Sequence, residues 1–282
     1  MGLIIPRGAS WAYCSHNMPS TPSSNVGTQV TAGTSNTDST AVTLLTALTH
    51  DVEFMRISIA GQTITTAQDN NSLFSILVDP SGGTSWSTLI PYLIAAPVAT
   101  TTTVPHAGII YEFPLWVPAG SSIGCFARCA EAASTPVTRV LIEALGGNRN
   151  PASWWSGQRV TAIGIDSTNS RGTSHTPGNA GSLSTWTNFG SALTADCGAI
   201  QWGAGGNFAS NTWTNNSYRM EFGVGSVMIG PPVAHATNSS ESYWNISTGV
   251  IFARLAAGTQ FMCRGTCDGA ASAQNVAAYA VH

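Results

Sequence analysis

The chain has 282 residues, of which only 8% are charged; its net charge is −3, and all ten basic residues are arginines. The scarcity of charge excludes a large electrostatic nucleic-acid surface, which needs clustered basic residues. The 43% of apolar residues excludes a disordered chain. Because weakly charged surfaces repel one another little, this composition favours burial against other subunits. The alternative is a neutral β-protein whose surface is covered by Ser and Thr.

The first 22 residues are predicted to form an N-terminal arm with no counterpart later in the chain. Its apolar run, Leu3 to Ile5, is ended by Pro6 and is too short for a secretory signal. No run of 18 apolar residues follows anywhere, so no membrane-spanning helix is expected. Trp11 and Tyr13 are candidate interface residues, because the arm either reaches a neighbouring subunit or lies along its own domain.

Short runs of β-branched and aromatic residues between turn signals predict an all-β fold of sandwich or barrel type. After the arm, the predicted strands are Ala41–Leu45, Val52–Ala60, Leu73–Val78, Ile109–Val117, Ile123–Ala130 and Val137–Leu145. The segment from Trp86 to Ala96 is predicted to be a loop, because Pro91 interrupts it.

A Gly-, Asn- and Pro-rich stretch, residues 146–156, is predicted to be a linker. It contains Trp154 and Trp155, which are candidate interface residues that pack between the domains. The strands predicted beyond it are Trp186–Phe189, Cys197–Trp202, Tyr218–Val224, Tyr243–Leu255, Phe261–Thr266 and Asn275–Val281.

The segments on either side of the linker are predicted to be two copies of one β-sandwich, residues 23–145 and 157–282. Gly33 to Gly61 aligns with Gly178 to Gly206 without a gap, which places Asp51 on Asp196. At the same offset an Asn-Asn-Ser sequence at 70–72 matches 215–217. After a shift of seven residues, two pairs of cysteines also match.

Each copy places a small-residue turn between two strands near its end, at Pro118-Ala119-Gly120 and at Ala256-Ala257-Gly258. These hairpins resemble those near the C-terminal end of viral jelly rolls and related trimer-forming sandwiches. The resemblance implies a tandem pair of jelly-roll-like β-sandwich domains preceded by an N-terminal arm.

The six cysteines are candidate buried thiols or disulfide partners: Cys14, Cys125, Cys129, Cys197, Cys263 and Cys267. Cysteines four residues apart on a strand share a face but lie roughly 13 Å apart, too far to bridge each other. They are therefore buried small hydrophobes, disulfide partners of other strands or subunits, or metal ligands with residues elsewhere. Cys14 and Cys197 have no partner in the repeat.

No pattern typical of catalysis, cofactor binding or metal binding is present. The six histidines lack the spacing of a shared metal site, and in Gly223-Val224-Gly225-Ser226 the serine lies outside the frame of a Gly-x-Ser-x-Gly elbow. The repeated pair Asp51 and Asp196 is predicted to hold turns. We therefore expect no catalytic, cofactor-binding or metal site, no cofactor, and a protein that is not an enzyme.

The duplicated sandwich, the low charge and the apolar arm resemble virion proteins of tailed bacteriophages. This resemblance implies an accessory structural protein, such as a capsid decoration, head fibre or tail component, that is made in the host cytoplasm and assembled into the virion. Its expected partners are further copies of itself and other virion proteins, with no nucleic acid and no membrane. The alternatives are a receptor- or carbohydrate-binding protein that grips a host glycan with its tryptophans, and a hydrolase with an unrecognised site.

Overall fold

A computed structural model describes residues 13–18, 27–33, 36–63, 72–95, 109–129, 137–147, 156–166, 172–206, 215–237, 244–247 and 249–282. These residues form an all-β protein with twenty strands in four antiparallel sheets. The chain is a tandem pair of jelly-roll-like β-sandwiches with an N-terminal arm, as the sequence predicts.

The described part of the first module contains nine strands. They are β1 (Tyr13–His16), β2 (Thr28–Thr31), β3 (Val42–Leu45), β4 (Val52–Thr63), β5 (Ser72–Asp79), β6 (Ser87–Ala95), β7 (Ile109–Phe113), β8 (Ser122–Cys129) and β9 (Val137–Gly146). Sheet 1 has the order β1-β9-β4-β7, with β2 also paired to β9, and sheet 2 has the order β3-β8-β5-β6.

The second module contains eleven described strands. They are β10 (Val160–Ile163), β11 (Thr173–His175), β12 (Thr187–Asn188), β13 (Cys197–Gly206), β14 (Asn216–Val224), β15 (Val227–Met228), β16 (Val233–Thr237), β17 (Trp244–Ile246), β18 (Ile251–Leu255), β19 (Phe261–Cys267) and β20 (Gln274–Val281). Sheet 3 has the order β10-β20-β13-β17, with β11 on β20 and β18 on β13. Sheet 4 has the order β12-β19-β14-β15, with β16 on β14.

Each sandwich encloses an apolar core between its two sheets. In β9 every second residue is fully buried, including Val140, Ile142 and Ala144, because one face of the strand points into the core. The second core contains the stacked pair Trp202 and Phe222, whose ring centroids lie 5.3 Å apart. Both cores are large enough to stabilise the modules without disulfides.

The duplicated hairpins are held in the same way in both modules. The Asp51 carboxylate accepts a hydrogen bond of 2.8 Å from the backbone of Ala119, and the Asp196 carboxylate accepts one of 2.8 Å from Ala257. The glycine that follows, Gly120 or Gly258, has φ of +85° in each copy. The prediction that the repeated aspartates hold turns is confirmed.

The N-terminal arm has a counterpart, contrary to the prediction from the sequence. Tyr13–His16 pairs with the end of β9, and Val160–Ile163 pairs with the end of β20 in the same way. Of the two alternatives for the arm, β1 therefore lies along its own domain. The copies show no alignment here because edge strands of four residues carry little sequence signal.

The match of the two Asn-Asn-Ser sequences is displaced by one residue in the structure. Ser72 pairs with Cys129, whereas the residue that pairs with the equivalent Cys267 is Tyr218 and not Ser217. Because a shift of one residue moves a side chain to the opposite face of a strand, this sequence match does not reflect equivalent positions.

The predicted loop from Trp86 to Ala96 is instead the strand β6, at the edge of sheet 2. Pro91 is tolerated because the register shifts around it: Ile90 faces Ile76, while Leu93 faces Phe74. The following residue, Tyr92, has φ of +56° and donates its backbone hydrogen bond to the Ser75 hydroxyl. An edge strand with a bulge does not need the N–H that proline lacks.

Two further predicted strands are divided or shortened in the structure. The strand predicted at Tyr243–Leu255 is described as two, β17 and β18, with Gly249 between them at φ of +75°. The strand predicted at Ile109–Val117 ends at Phe113, directly before Pro114.

Candidate assembly surface

The two modules are joined by contacts between the edge of the first and the outer face of sheet 3. The Tyr279 ring meets the Tyr111 ring edge-on, with centroids 5.5 Å apart. The Tyr279 hydroxyl donates to the backbone carbonyl of Tyr92 at 2.9 Å, and the Tyr111 hydroxyl donates to that of Ile94 at 2.7 Å. Complete burial raises the pKa of both hydroxyls, so they remain neutral donors.

Sheet 3 is buried on both of its faces, which explains why every residue of β20 is inaccessible. Ala278 and Ala280 face the core of the second module. Tyr279 and Val281, on the other face, pack with Ala199 into the core of the first module. Across this contact the Gln201 side chain accepts a hydrogen bond of 3.0 Å from the backbone of Glu112.

A short segment of the second module is also inserted at the edge of the first. Gly157 lies parallel to Leu115; its carbonyl accepts from Trp116 N at 2.7 Å, and its N–H donates to the carbonyl of Pro114 at 2.9 Å. The segment that leads into β10 therefore occupies a strand-like position on residues 114–116.

The corresponding place in the second module is residues 252–254. Two pairings in each module show which residues correspond. In the first module Val52 bridges Val117, and Met55 pairs with Phe113. In the second module Cys197 pairs with Leu255, and Ile200 pairs with Ile251. The three residues between these pairs are thus equivalent in the two modules. Phe252 stands where Pro114 does, and Arg254 stands where Trp116 does.

Residues 252–254 line an open groove of about 780 Å³, together with Asp196–Gly198, Leu255, Ala256 and His282. We call this the β18 groove. Phe252, at 49% exposure, forms part of its wall. An exposed phenylalanine in a concave, largely apolar site is typical of a binding surface.

Two polar groups at the rim of the β18 groove are already engaged. The Asp196 carboxylate holds the hairpin at Ala257, and the Asp196 carbonyl accepts from His282 Nδ1 at 2.8 Å. His282 Nε2 is buried and has no hydrogen-bond partner among the described residues. Burial also raises the pKa of Cys197 in the groove, so its thiol is protonated. The groove therefore suits an extended, largely apolar segment.

The outer face of sheet 1 differs chemically from that of sheet 3. By register, Glu143 and Arg56 of the first module occupy the places of Tyr279 and Gln201. The Arg56 guanidinium lies 2.9 Å from the Glu112 carboxylate and 3.7 Å from that of Glu143. These partly buried charges compensate one another, so the outer face of sheet 1 is more polar than that of sheet 3.

Those candidate site residues that the structure describes do not converge on one site. The six cysteines form no disulfides among themselves; Cys14 is exposed and the other five are buried. Tyr13 is 55% exposed and stacks on His50, with centroids 5.5 Å apart. The other candidate interface residues, Trp11, Trp154 and Trp155, lie outside the described residues.

The tryptophans considered for sugar stacking have different environments. Trp202 and Trp244 are buried. Trp86 lies against Gly124 on sheet 2, and Trp186 lies against Gly223 on sheet 4, where the glycines leave room for the rings. The Arg264 guanidinium covers the Trp186 ring at 4.6 Å from its centroid. Trp213 is outside the described residues.

Sheet 4 carries a buried carboxylate with two cationic partners. Glu221 is 2% exposed, and its two oxygens lie 2.7 Å from Arg219 and 2.7 Å from Arg264. Because each oxygen is paired with an arginine, the charge of this buried carboxylate is compensated. In the described part of the chain, no three His, Cys, Asp or Glu side chains are grouped to hold a metal ion. The same residues include no helix long and apolar enough to cross a membrane.

No known family and no curated protein matches the chain. Among solved structures it is similar to PNGF-II, with 11% identity and a TM-score of 0.34; the match covers 92% of this chain and 62% of PNGF-II. A peptide-N(4)-(N-acetyl-β-D-glucosaminyl)asparagine amidase is 11% identical, with coverage of 88% and 99% and a TM-score of 0.30.

The tandem CBM22-1–CBM22-2 domain of Xyn10C from Paenibacillus barcinonensis is 10% identical. That match covers 96% of this chain and 91% of the tandem domain, with a TM-score of 0.28. Likeness at this level concerns the β-sandwich fold alone. The chain spans about 62% of the length of PNGF-II.

The prediction that the chain is not an enzyme is wrong, because the structures similar to it include an amidase and an N-glycanase. The prediction was based on missing sequence motifs, and enzymes also occur among these similar sandwiches.

Proposed function

We propose that this protein is an accessory structural component of a virion, of the kind found in tailed bacteriophages, that works by self-association. The observation that supports the proposal is the β18 groove. The same place in the first module holds a segment of chain through Pro114 and Trp116, whereas in the second module it is open around Phe252.

The distribution of apolar surface also supports self-association. Val227 and Met228, on β15, are 65% and 45% exposed, so the second module carries another apolar surface besides Phe252. The charged side chains of sheet 1, in contrast, compensate one another. Association through these apolar side chains would bury mainly the surface of the second module. Because few charges would be buried with them, its electrostatic cost would be small.

The energetics favour assembly with many copies over a tight isolated dimer. Complete burial of one phenylalanine side chain contributes about 2 kcal/mol, which is small against the cost of association. On a particle or along a fibre, one contact raises the local concentration of the partners for the next, so that repeated weak contacts together bind strongly. A decoration or fibre protein provides this repetition.

Sedimentation equilibrium of the full chain over a wide range of concentration tests the self-association. The proposal predicts a mass that rises with concentration to that of an oligomer. A monomer throughout, also with purified particles present, would overturn it. Neighbouring open reading frames for capsid, portal or tail proteins would support the virion part of the proposal.

A second candidate function is recognition of a glycan, as in a receptor-binding fibre. It is favoured by Trp116, which is 42% exposed at the module boundary beside Gly157. An accessible indole can stack on the apolar face of a sugar ring. A glycan array with the wild type and Trp116→Ala tests this function, which requires a bound glycan that the variant loses.

A further inference from the structure

The outer face of sheet 4 carries a charged cluster that the proposed self-association does not use. In β14 the side chains of Met220 and Phe222 enter the core, so Glu221 between them points to the opposite face. Arg264, in the neighbouring strand β19, lies directly opposite Glu221. A carboxylate on an outward face is normally hydrated, yet Glu221 is only 2% exposed. Its burial results from the side chains that surround it.

The cluster has one more positive than negative charge. Arg219 and Arg264 each place a guanidinium nitrogen 2.7 Å from one oxygen of Glu221. Among the described residues, neither arginine pairs with a second carboxylate. Asp268, directly after β19, instead accepts a hydrogen bond of 2.9 Å from the backbone of Ser217. The two arginine side chains remain 54% and 30% exposed, so some of their N–H groups can meet an anion from solvent.

The guanidinium groups are oriented by their neighbours. Glu221 binds the Nε of Arg264, whose guanidinium also lies 4.6 Å from the centroid of the Trp186 ring. That ring lies over Gly223, where a Cβ atom would come within 2.8 Å of it. A binding group whose orientation is already fixed loses less conformational freedom when a ligand binds. The buried carboxylate thus prepares the arginines for an anionic ligand.

The first module lacks this cluster, although its strands have the same register. Ser75 pairs with Phe126 at the position equivalent to the pair of Glu221. Leu73 stands in the place of Arg219. The sandwich therefore does not need charges at these positions for its architecture, and replacement of buried ion pairs by apolar residues is often neutral for stability. A cluster that is present in one module alone indicates a function of that module.

We propose that this cluster binds an acidic glycan, a sugar chain that bears carboxylate or sulfate groups. The anionic group accepts charge-assisted hydrogen bonds from the guanidinium groups of Arg219 and Arg264. Trp186 is partly exposed and gives the site an apolar border, on which part of a sugar ring packs. Asn188, two residues along β12 and on the same face, exposes a side-chain amide to the sugar hydroxyls. The site lies outside the β18 groove, so this inference does not depend on the proposed self-association.

The size of the cluster favours a glycan over a nucleic acid. A nucleic acid is bound through many phosphate contacts, and the described strands of sheet 4 contain two arginines, Arg219 and Arg264. A sugar requires few charged contacts, because its hydroxyls and its apolar ring face also bind the protein. An acidic peptide offers carboxylates as well, and the test compares it directly.

A glycan array is the first measurement, with sialylated, uronate-containing and sulfated glycans each placed beside its uncharged core. The full chain should bind acidic glycans and not the cores. Binding should weaken as the salt concentration rises, because the contact is made by exposed charges. The carboxylated and sulfated glycans show which anionic group the site prefers. Binding of no acidic glycan, or equal binding of the uncharged cores, would overturn the inference.

Full-length variants, titrated with the glycan that binds best, locate the site. Arg219→Gln removes one exposed guanidinium, leaves the pair of Glu221 and Arg264 intact, and should weaken binding about tenfold. Arg219→Lys keeps the charge but not the planar fork and should weaken binding less. Arg159→Gln is the matched control, since Arg159 is an exposed arginine of the same module outside sheet 4. Thermal unfolding of each variant verifies that it is folded.

Two results of the titrations would contradict the site. If Arg219→Gln binds like the wild type and Trp116→Ala does not bind, the glycan lies at the boundary between the modules and the cluster is not its site. If hexaglutamate competes as strongly as the glycan, the cluster recognises acidic peptides instead. Sedimentation of Arg219→Gln should match that of the wild type, so that a failure of the self-association and a failure of this inference are observed separately.

Discussion

The hydroxyl of Tyr279 donates a 2.9 Å hydrogen bond to the backbone carbonyl of Tyr92, and this bond joins the second module to the edge of the first. The same oxygen lies 3.4 Å from the backbone nitrogen of Ile94. One buried side chain thus satisfies two backbone groups at the bulge of β6, where the strand loses regular pairing around Pro91. The bulge and the contact between modules therefore depend on each other.

Tyr279→Phe should destabilise the contact between the modules. It removes the donor to the half-buried carbonyl of Tyr92, which costs about 1 kcal/mol. Calorimetry should show a lower melting temperature, with the transition broadened or divided if the modules uncouple. Tyr13→Phe, which removes a hydroxyl from an exposed ring, serves as the control and should melt like the wild type.

Asp51→Ala and Asp196→Ala should each destabilise their own module by about 1 kcal/mol. Each removes the acceptor for one backbone N–H of a surface hairpin, and solvent replaces part of the lost bond. Asp→Asn at the same positions keeps an acceptor oxygen and should retain most of the stability. Urea unfolding of the four variants measures these differences, and equal losses for Ala and Asn would contradict the turn-holding role.

Acid should destabilise the second module through His235. Burial lowers the pKa of His235 to about 4, although the Gln274 side chain, 2.7 Å away, partly opposes the shift. An unfolded histidine titrates near pH 6.5, so the unfolded chain binds more protons between these values. The contribution of His235 to the free energy of unfolding is therefore complete above about pH 6.5. It falls by up to about 3 kcal/mol as the pH decreases towards 4.

The measurement is the free energy of unfolding of wild type and His235→Gln at several pH values. In the variant, most of the decrease in the free energy of unfolding at acid pH should be absent. Burial also lowers the pKa of His175, which adds a smaller decrease of the same sign. An unchanged pH dependence in His235→Gln would assign the effect to other groups.

The thiols should react in a defined order in the native protein. Cys14 is the exposed thiol, although partial burial and the charge of Glu143 raise its pKa. The pKa of Cys263 is raised to about 12 by burial, so it should stay unreactive until the protein unfolds. Titration with a thiol reagent should count one native thiol and six after denaturation, and Cys14→Ser should abolish the native signal.

The duplicated architecture could be predicted from the sequence because some backbone conformations are adopted by few residue types. A glycine at φ of +85° after the aspartate-capped turn is such a geometry, and it recurs at Gly120 and Gly258. The edge strands β1 and β10 gave no such signal, because their pairing is made by backbone groups. Pro91 misled the prediction of β6, since the register shift around it makes the missing N–H unnecessary, and the Tyr279 hydroxyl binds the carbonyl of Tyr92 at this place.

The β18 groove could not be predicted from the sequence. It depends on the equivalence of Phe252 and Arg254 to Pro114 and Trp116, and none of these residues matches in type. It also depends on a contact between distant parts of the chain, the insertion of Gly157 beside Leu115. The equivalence of these residues can be recognised only from the register of the paired strands.

Photo-crosslinking from position 252 tests the assembly contact most directly. Phe252 is replaced by p-benzoylphenylalanine in the full chain, the assembled protein is irradiated, and the linked peptides are identified by mass spectrometry. The account predicts links between position 252 and another copy of the chain. Links confined to one chain would contradict it.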